Sequence, residues 1–358
     1  KHCKRNVVTT EDIKRGMTID LGIAFLNKNV TLIDVPGHEN FVKNMMSGIH
    51  GIDIGLLVIA ANDGIMPQTI EHLNIFKLLD VSKLVIVINK IDLVDDEIIE
   101  VVKLEVLELL EVNKFKDYKL IEVSTINNQG INKLKILLET IVKKCPDKYN
   151  KGPFRLPIDR VFSIKGFGTV VTGTVTSGKI KVGDDLSIQP INKIVKIRGL
   201  NNHNTSVQQL SIGQRAAINI QNIDKNKIKR GFQITSQNFF PGVKSIIAKI
   251  ENLNHKDKII KKNQRIRIHL GTAEAIGKIF LFNEKYIASG KKSIGLINFE
   301  TPIVASYRDK FIIRHYSPVF TLGGGEVILS SSGKNNFIDN KIMKLSKIYG
   351  PKEVESKW

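Results

Sequence analysis

Residue 154 separates two stretches of different hydrophobic periodicity, and that change restricts the fold more than any other feature of the chain. Before it, short apolar runs alternate with longer stretches in which apolar residues recur at helical spacing. Residues 30–34, 55–61, 83–89 and 119–124 are predicted strands, and 39–49, 67–79, 97–110 and 131–143 predicted helices. Strands alternating with helices build a parallel-rich sheet with flanking helices. After residue 154 the long helical patterns stop. Short alternating strands follow one another through turns such as Ser177-Gly178, Val182-Gly183-Asp184 and Ile212-Gly213-Gln214. This is the grammar of a β-barrel. Phe239-Phe240-Pro241-Gly242 marks a second boundary, after which 265–269, 278–282 and 308–314 predict another barrel ending near Gly323-Gly324-Gly325. The expected class is α/β followed by all-β, with domains at 1–150, 153–237 and 238–329 and a lysine-rich segment at 330–358 that links to or opens a further element.

Several functional classes drop out at this stage. The longest apolar run, 54–61, fits a buried parallel strand and falls short of the roughly 18 residues a membrane helix needs. Two distant cysteines, Cys3 and Cys145, make neither a disulfide framework nor a zinc cluster and place the chain in a reducing compartment. The 54 Lys+Arg exceed the 35 Asp+Glu, for a formal charge of +19. Such an excess suits a polyanionic partner such as nucleic acid, and equally a composition that spreads lysine over every solvated face. The chain opens at Lys1 on a basic stretch without the apolar core of a signal peptide, and is expected to be a piece of something longer.

Three short motifs carry chemistry. Asp34-Val35-Pro36-Gly37-His38 follows a predicted strand and precedes a predicted helix. An aspartate there reaches a Mg²⁺ ion through water, Gly37 lets a backbone N–H approach a γ-phosphate, and His38 can position an attacking water. The same five residues also fit a tight turn with an exposed histidine. Asn89-Lys90-Ile91-Asp92 follows the third predicted strand. Asp92 can accept both N1–H and the 2-amino group of guanine, Lys90 can cover the ring, and Asn89 can tie the loop to its neighbours. Ser124-Thr125, after the fourth strand, is placed to offer backbone N–H to the guanine O6. Upstream, Thr18 can complete a Mg²⁺ shell and sense a γ-phosphate. The order Thr18, Asp34–Gly37, Asn89–Asp92, Ser124 is that of the guanine-nucleotide elements of translational GTPases.

A phosphate loop of the form G-x-x-x-x-G-K-[ST] is expected before Thr18 and is not in the sequence. The near match Gly173-Thr174-Val175-Thr176-Ser177-Gly178-Lys179 continues into Ile180 and lies among barrel strands, so it is expected to be a barrel turn. The α/β part is therefore expected to be an incomplete P-loop GTPase domain, with weak turnover by this chain alone.

With these motifs in place, the sequence resembles translational elongation factors, and more narrowly the selenocysteine-specific family. The resemblance rests on residues 15–22 (Arg-Gly-Met-Thr-Ile-Asp-Leu-Gly), 34–46 from Asp34-Val-Pro-Gly-His38, and 51–61 with Met66-Pro-Gln-Thr69. It rests most on the barrel start at 154–166, which holds Asp159-Arg160, and on 170–173. It extends to about Leu329. It implies a GTPase domain and two barrels, GTP/GDP and Mg²⁺ as ligands with Thr18 and Asp34 at the metal, and a monomer in the cytoplasm. It further implies selenocysteinyl-tRNA and the ribosome as partners, with a selenocysteine mRNA hairpin held by a C-terminal region beyond this chain. Residues matching the family's aminoacyl pocket are Asp159, Arg160 and Arg215, where cations favour a selenolate over a serine hydroxyl. Asp159 would fix the arginines or meet the amine of the aminoacyl ester. A surface ion pair is the plainer account of Asp159-Arg160. A general or initiation-type translational GTPase, and a non-catalytic tRNA-binding module, stay open as alternatives.

Overall fold

A computed structural model describes residues 21–27, 30–37, 45, 52–81, 83–145, 152–166, 168–203, 205–253, 258–282 and 284–331. These fall into two compact units, one holding residues 21–37 and 52–145 and one holding Met45 and both barrels. The predicted helix at 39–49 lies outside the described residues, apart from the buried Met45.

The first described strands of the α/β unit form an antiparallel pair, β1 (Gly22–Asn27) and β2 (Val30–Asp34), in which Gly22 stands opposite Asp34. Strand β1 was not expected. Its signal is a short apolar run separated from β2 by Asn27-Lys28-Asn29, residues that favour a turn. A three-stranded parallel sheet follows, with β3 (Gly55–Ala60) beside β4 (Lys83–Asn89) and β4 beside β5 (Asp117–Glu122). Three helices connect or follow these strands: α1 (Pro67–Leu78), α2 (Asp96–Val112) and α3 (Ile131–Lys143). Pro67 starts α1 where its missing N–H costs nothing, and Asp96 and Glu97 occupy the first turn of α2, where the helix dipole favours negative charge.

Helix α3 packs Leu138 and its neighbours over Val85, Val87 and Val123 on one face of the sheet. Phe76 of α1 meets Leu84 and Gly55 on the other. Strand β4 is buried on both faces, as its unbroken apolar sequence requires. Strand β3 departs from the expectation of full burial. Leu57 and Ile59 are buried, but Val58 is 55% exposed; by register Leu56 and Val58 stand beside Val85 and Val87 on the α3 face of the sheet.

The first barrel closes through β10 (Lys193–Asn202), β13 (Arg215–Ile220), β7 (Gly168–Thr174), β6 (Arg155–Ile164), β14 (Gln233–Thr235) and β9 (Asp185–Gln189), which pairs back to β10. Its core runs through Leu156, Ile158, Val171, Ile188, Ala216 and Ile218. The lysine of the phosphate-loop near match heads the short strand β8 (Lys179–Lys181), so that segment is a barrel turn with no helix after it; the other short strands are β11 (Thr205–Val207), β12 (Gln209–Ser211), β16 (Ile260–Lys261) and β19 (Tyr286–Ile287).

The second barrel closes in the order β15 (Gly242–Asn252), β20 (Lys292–Val304), β18 (Ala273–Leu281), β17 (Arg265–Leu270), β21 (Lys310–His315) and β22 (Thr321–Ser331). The triple glycine does not end this barrel. It lies inside β22, where a Cβ on Gly323 or Gly325 would stand 2.0 Å from a carbonyl oxygen of β15. Glycine there lets the closing strand run close against its neighbour.

The two barrels meet at Arg155. Its guanidinium makes two 2.7 Å hydrogen bonds to Asp309 of the second barrel and a third to Gln233 of the first, with the Phe240 ring 5.1 Å away. Paired and forked in this way, a buried arginine satisfies its donors at the seam.

Candidate functional site

The parallel sheet delivers three loops to one edge, the carboxyl ends of its strands, where open α/β sheets bind ligands. Residues 61–64 follow β3, Asn89–Asp92 follow β4, and 123–130 follow β5. Backbone hydrogen bonds from Ala61 to Asn89 and from Val123 to Ile88, both 2.8 Å, extend the ladder into these loops. Asn89 Oδ1 accepts from the Thr125 N–H at 3.3 Å, so Asn89 ties two of the loops together. Lys90 takes a left-handed backbone (φ 62°), strained for a side-chain-bearing residue. Its ammonium lies 3.6 Å from Asp63, a contact the linear sequence did not disclose. Asp92 stands exposed on the single helical turn Ile91–Leu93.

Ser124 takes a different part from the one expected. It is fully buried, donates its N–H to the Gln129 carbonyl at 3.0 Å, and accepts the Asn127 N–H on its hydroxyl at 3.1 Å. Its amide is therefore spent on shaping the loop. The Thr125 amide, in its long bond to Asn89, is the one better placed to exchange onto an incoming carbonyl.

Thr18 and His38 lie outside the described residues. Asp34, the last residue of β2, is exposed, and so is Gly37. A residue the sequence did not single out approaches Gly37. His72 of α1 brings its Cε1 within 3.8 Å of where a Cβ on Gly37 would stand. Burial pushes the His72 pKa down, against smaller upward effects of Glu71 and of the Gly37 backbone. A depressed histidine binds its proton less readily folded than unfolded. Its contribution to stability is thus complete above pH 6.5 and falls as the solution is acidified below that value. Urea midpoints measured down from pH 7.5 are expected to drop below about pH 6.5. His72→Gln is expected to flatten that limb, and an unchanged limb would assign it to other groups.

The first barrel builds a second cluster on its outer surface. The β6–β7 register passes from Ile158 opposite Gly173 to Arg160 opposite Thr172, leaving Asp159 as the extra residue of a bulge. Ile158 lies in the core and Val161 packs against it, so the bulge turns both Asp159 and Arg160 outward. Gly173 makes the bulge possible, since a Cβ there would fall 2.2 Å from the Pro157 carbonyl oxygen. On β13, Ala216 and Ile218 point inward, which puts Arg215 on the outer face.

There Arg215 pairs with Asp159, and Thr172 donates its hydroxyl to the other Asp159 oxygen at 2.7 Å. The Asp159 side chain is 1% exposed and that of Arg215 12%. Each carboxylate oxygen has a partner, so Asp159 orients the arginine. Arg160 is half-buried on the same face. Among the described residues no group of three or more His, Cys, Asp or Glu is arranged to hold a metal ion. No described helix is long and apolar enough to cross a membrane.

Known families match the chain in three consecutive parts. The Elongation factor Tu GTP binding domain matches residues 6–147, and Elongation factor Tu domain 2 matches 168–235. The beta-barrel domain of the Selenocysteine-specific elongation factor matches 247–334. The Selenocysteine-specific elongation factor of Desulfomicrobium baculatum is 37% identical over 326 residues, 89% of this chain and 51% of that protein. That of Methanocaldococcus jannaschii is 32% identical, over 89% of this chain and 72% of its own length. The crystal structure of a bacterial selenocysteine-specific elongation factor EF-Sec superposes with a TM-score of 0.81 at 32% identity, over 95% of this chain and 57% of that one. The chain thus spans about half the length of its bacterial relatives.

Proposed function

The chain belongs to the family of selenocysteine-specific elongation factors, and from that premise we propose that it serves a GTP-dependent factor that carries selenocysteinyl-tRNA to the ribosome in the cytoplasm. The observation that carries this reading is the outer-face cluster of the first barrel, where a buried carboxylate holds Arg215 on the face that also bears Arg160. A selenol ionises near neutral pH and a serine hydroxyl does not, so a fixed cationic wall favours the selenolate.

Guanine nucleotide fits the residues at the sheet edge. Asp92 supplies the acceptor for N1–H and the 2-amino group, Lys90 lays its stem along the base, Asn89 ties the two loops together through the Thr125 N–H, and Ser124 shapes the second loop. Mg²⁺ fits the hard carboxylate donor of Asp34, an exposed residue at the end of β2, with Thr18 as its proposed companion; when bound it would neutralise phosphate charge. Gly37 offers its backbone to the terminal phosphate, and His38 is the proposed residue that orients water for hydrolysis.

The test compares selenocysteinyl-tRNA with seryl-tRNA at one fixed salt concentration. Selenocysteinyl-tRNA is expected to bind more tightly, and Arg160→Ala to reduce that advantage by about 10- to 100-fold so that the two affinities converge. Equal losses for both tRNAs would make Arg160 a phosphate contact and overturn its place in the pocket.

A further inference from the structure

We propose that Thr172 is the positioning residue that sets the selectivity of the barrel site, an inference that rests on the aminoacyl-pocket reading above. The carboxylate of Asp159 can turn about its own bonds, and Arg215 follows whichever way it faces. Thr172 settles the choice. It stands on β7 between the two strands involved, opposite Arg160 on β6 and opposite Ala217 on β13. Its hydroxyl takes one Asp159 oxygen at 2.7 Å and leaves the other for the Arg215 guanidinium.

The two bonds are not equivalent. The ion pair supplies most of the attraction, but a carboxylate with one charged neighbour and no second donor could rotate and carry the arginine with it. A threonine hydroxyl on a β-strand is a stiff donor, because branching at Cβ restricts its χ1 rotamers. A charge-assisted hydrogen bond at this distance is stronger than a neutral one. The cationic wall is thus directed by a neutral residue that need not touch the ligand.

Three variants and two readouts decide the matter. Thr172→Val keeps the shape and removes the hydroxyl, Thr172→Ser keeps the hydroxyl, and Ala217→Ser serves as a neighbouring control. Thr172→Val is expected to narrow the ratio of selenocysteinyl- to seryl-tRNA affinity by about tenfold. Thr172→Ser restores most of it, and Ala217→Ser changes it little. Nitrogen NMR of the Arg215 guanidinium, in the protein without tRNA, reads the geometry directly. Rotation about its C–N bonds is slow in the wild type and fast in Thr172→Val.

Equal weakening of both tRNAs in Thr172→Val, or an unchanged guanidinium signal, overturns the proposal. A wild type that does not distinguish the two tRNAs, but whose guanidinium still responds to Thr172→Val, overturns the aminoacyl-pocket reading and leaves the positioning role of Thr172 standing.

Discussion

Asp92→Asn is expected to lower GTP affinity by about three orders of magnitude and to turn the preference toward xanthosine triphosphate. The carboxylate can accept two hydrogen bonds from guanine, each charge-assisted and each contributing about 1.5–3 kcal/mol. Asparagine keeps one acceptor but turns a donor toward the 2-amino group, which is itself a donor. Xanthine carries an oxygen at that position, so the mismatch becomes a match. The substitution should act on the base alone, since the bonds that brace the loop run through Asn89, Thr125, Ser124 and Asn127, while Asp92 stands exposed on its own turn. Titration calorimetry with both nucleotides measures the ratio. An unchanged preference would return Asp92 to the role of a solvated turn residue.

What could be read in the sequence, and what could not, follows from how far apart the interacting residues are. Strand β4 and helix α3 were legible because their evidence is local, an unbroken apolar run in one and helical spacing in the other. The predicted edges of β5 and α2 differ from the observed ones by about two residues, within the range over which strand and helix ends are ill-defined. Asn89 as a tie between loops was also legible, because its motif fixes it at the end of a strand.

The misjudged features depend on a partner strand. The glycines at 323 and 325 look like the end of the barrel until β15 is seen passing 2.0 Å from where their side chains would begin. Ser124 looks like a ligand contact until Gln129 and Asn127 are seen using its amide and hydroxyl. Thr172 is one threonine among several in β7, and only the register with β6 singles it out. His72 carried no motif, and its significance comes from the loop folded against it.

The Asp159–Arg215 pair joins residues 56 positions apart, and breaking it should separate stability from selectivity. Arg215→Ala leaves a carboxylate that is 1% exposed without its counter-charge, retaining only the Thr172 hydroxyl. Removing one partner of such a pair costs about 3–5 kcal/mol, because the remaining charge stays desolvated. Replacing both charges is different. In Asp159→Asn with Arg215→Gln no ion is buried, and a neutral hydrogen bond can still cross β7. The double variant should recover stability to within about 1 kcal/mol of the wild type. It should not recover discrimination between selenocysteinyl- and seryl-tRNA, since the cationic wall has lost Arg215. Urea unfolding and paired tRNA affinities on the single and double variants measure the two effects separately. A loss below about 1 kcal/mol in Arg215→Ala would mean that water screens the pair as it does on an open surface. Full discrimination in the double variant would confine Arg215 to holding β6 against β13 and leave Arg160 to contact the selenolate.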